Sequence, residues 1–276
     1  MEEKKKKTKK KKEETKQLLY LLLGLAVVAL LVLLLGNRMF PKEDYYKIKD
    51  RKDSIRTTVI EEDGNKFDTV AWLQVQGTNI DYPIIHTSEN YEYPVTVDHF
   101  GWLTNIEPKF QKFMVIEGHN IFNLSDRPKI HGDTFARFEE LMAFTYYDFA
   151  KDNKYIQLTI DGKDYLYKIF AVEFVPYSET FEYPEGYSYT DEKVSKYVKK
   201  MKEQSLFDYD VDVNDDDAIL TLRTCTRFYG AEANYDFRVH GRLVRENEKI
   251  DNYRVTKSSN YRGVEDQLKG DENDEM

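Results

Sequence analysis

The chain has 276 residues, a formal net charge of −9 and a single cysteine. That length supports one sizeable domain with appendages, and the lone thiol excludes any intramolecular disulfide. The first sixteen residues hold nine lysines and four glutamates; subtracting that +5 from −9 leaves about −14 on the rest, an acidic body that excludes nucleic acid as main partner.

Residues 1–17 form a Lys-rich tail. From Leu18 to Leu35 the chain is apolar apart from Gly24 and Tyr20, a run of roughly 27 Å at the helical rise, enough to cross a bilayer core. No small-x-small cleavage site ends the run before Gly36-Asn37-Arg38, so residues 18–36 read as an uncleaved signal anchor. Lysine-rich flanks stay cytoplasmic, which puts the body outside the cell, with membrane lipid as a partner of the anchor. Residues 37–67 are charged with intermittent apolar positions (Tyr45, Ile48, Ile55, Val59) and read as a helical stalk.

A body over 68–245 follows. Val70 to Val75 and Ile80 to Ile85 read as strands around the turn Gly77-Thr78-Asn79, with Pro83 better suited to an edge or a bulge than to a central position. Phe113 to Ile116 is a short strand running into Glu117-Gly118-His119-Asn120. A helix is expected from about Thr134, with Asp133 or Thr134 as N-cap and Phe135, Phe138, Leu141 and Met142 on one face. Strands Tyr155 to Ile160 and Tyr165 to Phe174 flank the tight turn Asp161-Gly162. A second helix is expected over about Asp191 to Gln204, with Val194, Tyr197, Val198 and Met201 as its apolar stripe. Val211 to Asn214, Ala218 to Cys225 and Asp236 to Val244 are strand-like. Residues 246–276 turn polar and acidic and read as a disordered tail. Many short strands with two interpolated helices make a closed, mainly β barrel the economical architecture.

The only cysteine ends a strand, Ile219 to Cys225. Alternation puts Leu220 and Leu222 on one face and Thr221, Arg223 and Cys225 on the other. Such a thiol is either a small buried hydrophobe or a nucleophile, which needs a base and oxyanion donors elsewhere. Among the five histidines, His86, His99, His131 and His240 read as structural or solvated; His119 differs because it leaves a strand directly after a glycine. The run Asp215-Asp216-Asp217 reads as a turn before a strand rather than a calcium loop, since no EF-hand spacing accompanies it.

Thr221-Leu222-Arg223-Thr224-Cys225 matches the Thr-Leu-x-Thr-Cys signature of sortases, membrane-anchored transpeptidases of Gram-positive surfaces. Gly118-His119-Asn120 resembles the family's Gly-His motif, and Arg238, in the strand after the cysteine, falls where the family places its arginine. The resemblance spans roughly Trp72 to Val244, and the helix at Asp191 to Gln204 and the helical residues before the barrel resemble class B. It implies a sortase-type barrel of about eight strands and a catalytic set of His119, Cys225 and Arg238, with no cofactor or metal. The Cys225 thiolate would attack the threonine carbonyl of a C-terminal sorting motif on a surface protein. His119 would protonate the leaving amine and later deprotonate the incoming one. Arg238 would donate to the oxyanion or the substrate backbone. An amine from a peptidoglycan precursor, or a pilin lysine, would then resolve the thioester.

Thr224, Arg223 and Asn120 are expected to line the substrate groove. Class B sortases usually carry a small polar residue where this chain has Arg223, which alternates onto the side of Cys225 and so competes with Arg238 for the oxyanion; Arg227 is a weaker third candidate. His240 is the fallback base. Two other readings stay open: a pilin-polymerising or mainly hydrolytic peptidase, and a membrane-tethered binding domain in which Cys225 is merely buried.

Overall fold

The computed structural model describes residues 15–16, 19–20, 22–24, 45–62, 65–86, 101–103, 107–130, 137–177, 191–230 and 235–261. The chain divides into two units, Met1–Tyr45 and Tyr46–Met276. Most of the Leu18–Leu35 run lies outside the described residues, and among those described no helix is long and apolar enough to cross a membrane.

The second unit is built on eleven described strands: β1 (Val59–Glu62), β2 (Asn65–Val75), β3 (Asp81–His86), β4 (Gly101–Leu103), β5 (Phe113–Gly118), β6 (Tyr155–Ile160), β7 (Lys163–Pro176), β8 (Phe207–Tyr209), β9 (Ile219–Thr226), β10 (Tyr235–Leu243) and β11 (Val255–Lys257). Strand order is β1-β2-β3-β4-β5-β9-β10-β7-β6, and β6 also pairs with β2. That last pairing closes eight strands into a barrel and leaves β1 outside it, hydrogen-bonded to β2 alone. Closure removes the free sheet edges, which is how short antiparallel strands form a stable domain. β8 and β11 make a separate two-stranded sheet.

Local chemistry explains several of these elements. Asp161 and Gly162, both at positive φ (53° and 70°), form the two-residue turn that joins β6 to β7 in register. The parallel pairing of β3 with β4 covers only Ile84 to His86, so Pro83 sits where β3 has β2 as its one strand neighbour and its missing N–H costs little. Helix α3 (Asp191–Gln204) forms where expected and buries Val194, Val198 and Met201. The expected helix from Thr134 begins outside the described residues; Arg137–Thr145 is a 3-10 helix, followed by α2 (Tyr147–Asp152).

Both arms of the body differ from their sequence reading. Residues 37–67 are not one helical stalk: over the described part they give α1 (Lys52–Thr57), β1 and the start of β2, and residues 46–51 are strapped to the barrel. The Arg51 guanidinium forks onto Asp81, which also accepts from Trp72 Nε1 at 2.7 Å. The Lys49 backbone exchanges hydrogen bonds with the Gln157 side chain. With so few apolar positions, the arm is held by polar partners on the barrel instead of by a helical stripe. The tail is likewise ordered through Tyr261, not disordered from 246. Glu248 clasps Arg242, the Tyr253 hydroxyl lies between the carbonyls of Lys154 (2.7 Å) and Ile169 (2.8 Å), and β11 completes the sheet with β8. A few anchors in a polar segment are enough when each reaches a buried partner. The strand expected at Val211 to Asn214 is found instead at Phe207–Tyr209, and Asn214 to Asp217 is the turn. Ser195 binds Asp215, and Asp217 accepts from Asn214 N and Arg245.

Candidate active site

β5 and β9 run parallel and side by side, with Glu117 opposite Arg223. Those strands therefore deliver His119 and Cys225 to the same end of the barrel, although more than a hundred residues separate them. Three contacts fix the junction. The buried Thr224 hydroxyl donates to the Gly118 carbonyl at 2.7 Å. The Cys225 thiol, partly exposed, donates to the Asn120 carbonyl at 3.5 Å. Gly118 is obligatory by packing, because a Cβ there would lie 2.2 Å from Phe138 Cγ.

The loop carrying His119 is pinned from below. The Asn120 amide donates to the Asn123 carbonyl, the Asn123 backbone N–H returns to Asn120 Oδ1, and the buried Glu139 carboxylate accepts the backbone N–H groups of Ile121 and Phe122. The His119 ring lies on Trp102, with centroids 4.9 Å apart and planes tilted by 56°. Trp102 in turn packs on Ile60 and Ile85. Strands β1 and β4, which sequence reasoning missed, thus form the wall behind His119.

Strand β10 brings the arginine. In the β9–β10 register, Cys225 faces Asp236, Arg223 faces Arg238 and Thr221 faces His240, so all six share a face. Asp236 Oδ2 accepts from Arg238 Nη2 and Arg223 Nε, each at 2.7 Å, and Arg223 Nη1 reaches Glu117 at 2.7 Å. Burial raises the Glu117 carboxyl above its ordinary range, against the lowering effect of the Arg223 charge. Tyr177, just beyond β7 and half exposed, has its hydroxyl pushed up by partial burial and then by the charges of Cys225 and Asp236.

His119, Cys225 and the strand bearing Arg238 are thus brought to one site. Arg223 is there too, but committed to two carboxylates. Thr224 is not a groove residue: its hydroxyl is buried against β5, as alternation with Cys225 requires. Asn120 contributes its carbonyl rather than its amide. His240 is fully buried, between Thr221 Oγ1 (2.9 Å) and Glu173 Oε1 (3.0 Å), and cannot meet a substrate. Arg227 is exposed, and His99 and His131 lie outside the described residues. Asp236, Glu117 and Tyr177 were not singled out from the sequence. Asp236 carried one usable signal, its place two residues before Arg238 and hence on the same face of a strand.

Such a cluster can hold a thiol at a rim, place an imidazole beside it and present guanidinium donors to an acyl group. The Sortase domain family matches residues 73–244. The chain is 29% identical over 191 residues to sortase B of Listeria monocytogenes, covering 64% of this chain and 68% of that one. Among solved structures it resembles Clostridium perfringens sortase B (TM-score 0.53, 27% identity, 64% of this chain and 94% of that one). Staphylococcus aureus sortase B in a substrate complex shares the fold at 19% identity and TM-score 0.52, over 64% of this chain and 80% of that one. With most of its barrel inside the family match and class B enzymes as structural neighbours, the chain belongs to the sortase family of cysteine transpeptidases.

Proposed function

We propose that this protein is a membrane-anchored class B transpeptidase that joins surface proteins to an amine of the cell wall, with Cys225 as nucleophile, His119 as acid–base and Arg238 as the oxyanion or substrate-backbone donor. The observation that carries the reading is the convergence of all three on one barrel end, where β5, β9 and β10 lie side by side. Residues 18–36 supply the anchor, and the Lys-rich tail stays in the cytoplasm.

In the first half-reaction the Cys225 thiolate attacks the carbonyl carbon of threonine in the sorting motif. The bond to the next residue breaks, His119 gives its proton to the leaving amine, and a thioester remains. In the second, an amine of a peptidoglycan precursor attacks that thioester, His119 takes its proton, and the thiolate is regenerated. Arg238 donates to the carbonyl oxygen as charge develops on it in both steps. Groove residues beside Cys225 are Arg223 and the Asn120 backbone.

The test uses the full-length protein and a panel of fluorogenic sorting peptides, with mass spectrometry of products with and without added amines. Wild type is expected to yield a Cys225 thioester and an amine-linked product, and Cys225→Ala to fall by at least about a thousandfold. A cleaving Cys225→Ala variant removes Cys225 from its role. Water as the only acceptor, or a pilin lysine in place of the wall amine, would redirect the reading to a peptidase or a pilus polymerase.

A further inference from the structure

The charged groups around Cys225 form an ordered row. Across adjacent strands the register reads Glu117, Arg223, Arg238, Glu173, one from each of β5, β9, β10 and β7. Asp236 sits one step along, directly across from Cys225, with its side chain only 4% exposed. It holds both arginines through a single oxygen, Oδ2, at 2.7 Å from each. Directly opposed side chains on an antiparallel pair stand about 5 Å apart at Cβ, so this carboxylate lies beside the thiol.

A buried ion pair of this kind is weak evidence for stability, because desolvation consumes most of the attraction. Its geometry matters more. A guanidinium is a planar fork, and anchoring one nitrogen fixes the direction of the others. Arg223 is anchored at both ends, by Glu117 and Asp236. Resting on the assignment of Cys225 as nucleophile, we propose that Asp236 is a positioning residue: shared between Arg223 and Arg238 across from Cys225, it fixes the Arg238 guanidinium for acyl transfer and balances the positive charge beside the thiolate. Arg223, which stands where class B sequences have a small residue, is then the second leg of a brace rather than a rival oxyanion donor.

The two roles have opposite signatures. Removing the carboxylate's charge leaves two guanidinium groups less compensated and favours the thiolate, while releasing Arg238 slows acyl transfer. The experiment compares Asp236→Asn, Asp236→Glu and Arg223→Gln in the full-length protein. Cys225 alkylation by iodoacetamide is followed by intact mass at fixed pH, beside kcat and KM for a sorting peptide. With one cysteine in the chain, the alkylation readout is unambiguous. Asp236→Asn should alkylate about fivefold faster and Arg223→Gln slower by a similar factor. For Asp236→Asn, kcat should fall roughly thirtyfold with KM changed less than about threefold, and Asp236→Glu should recover part of kcat.

Wild-type alkylation and wild-type kcat in Asp236→Asn would overturn the proposal, as would a slower thiol in that variant. If Asp236→Asn does not fold, Arg223→Gln decides: alkylation at or above the wild-type rate overturns the charge balance. A wild type that alkylates normally yet transfers no peptide removes the transpeptidase reading instead, and the alkylation arms still decide for or against Asp236.

Discussion

Strand β10 carries two buried arginines four residues apart, and they are held in opposite ways. Arg242 is 1% exposed, and Glu248 grips it with both oxygens while Leu243 O takes another of its protons at 3.0 Å. Its clasp comes from the C-terminal segment, which it ties to the barrel. Arg238 meets a carboxylate from its own strand, and that carboxylate is divided with Arg223. One arginine is gripped at both ends by a carboxylate from another segment, which also takes Lys168 and the Arg245 N–H. The other is aimed by a partner it shares, at the end of the barrel where the thiol emerges. The difference separates a guanidinium that ties the C-terminal segment to the barrel from one that faces the Cys225 end, although burial alone does not distinguish them.

Exchanging each arginine should separate these roles most widely. Arg238→Ala is expected to lose activity by at least about a hundredfold while melting within a few degrees of wild type, since Asp236 keeps Arg223. Arg242→Ala leaves Glu248 only Lys168 and the Arg245 N–H, and is expected to cost roughly 3 kcal/mol, about 6–12 °C in melting temperature, with activity per folded molecule retained. Paired melting curves and rates check this, and a similar melting loss in both variants would erase the contrast.

Acid should act on the clasp first. Burial opposes ionisation of Glu248, but bonds from Arg242, the Arg245 backbone and Lys168 more than offset it and bring its pKa down to about 2; Asp81, held by Arg51 and Trp72 against its own burial, also falls to about 2. Carboxyls lowered in this way stabilise the fold above their unfolded pKa values, 4.5 and 3.8, and that contribution is lost as pH falls towards 2. Denaturant midpoints should therefore decline between about pH 4.5 and 2, with a shallower decline in Glu248→Gln. Glu117 has the reverse sign. Its raised carboxyl adds stability below its unfolded pKa and loses it as pH rises through the folded one.

Smaller effects belong to the site's periphery. Tyr177→Phe, which removes a hydroxyl that the charges of Cys225 and Asp236 reach, should lower kcat by about threefold to tenfold without a stability change. Glu117→Gln should shift stability at neutral pH by less than about 1 kcal/mol, because losing the Arg223 pair is offset by no longer burying a charge. A loss of several kcal/mol in Glu117→Gln would make the brace a stabilising device and weaken the contrast with Arg242.

Long, strongly patterned elements were legible from the chain: β6 and β7 around Asp161-Gly162, the amphipathic α3, and the β9 and β10 strands. β4 and β11 were not, since three residues carry no period and their pairing depends on partners far away in sequence. The polar arms misled for a related reason. Composition reports how much apolar surface a segment has, whereas Arg51 is held by the Asp81 carboxylate and Tyr253 by the carbonyls of Lys154 and Ile169. Motif residues His119, Cys225 and Arg238 could be singled out because they carry recognisable chemistry at recognisable positions, and the strand register brings their segments to one barrel end. Asp236 and Glu117 could not, because their pairing exists only in cross-strand register, and Tyr177 lies past the end of β7. Thr224 was a misreading that alternation could have prevented, since a residue next to Cys225 in a strand points the other way.

The parallel pairing of β5 with β9 also sets the order in which the enzyme comes into being. The Thr224–Gly118 contact spans 106 positions, and β6, β7 and α3 must be placed between its two ends. Such a non-local closure is slow and falls late in folding. A folding chain therefore carries its imidazole well before its thiol has anywhere to dock. The cysteine meets its partners only once the barrel is nearly closed, so a half-made molecule has no assembled site.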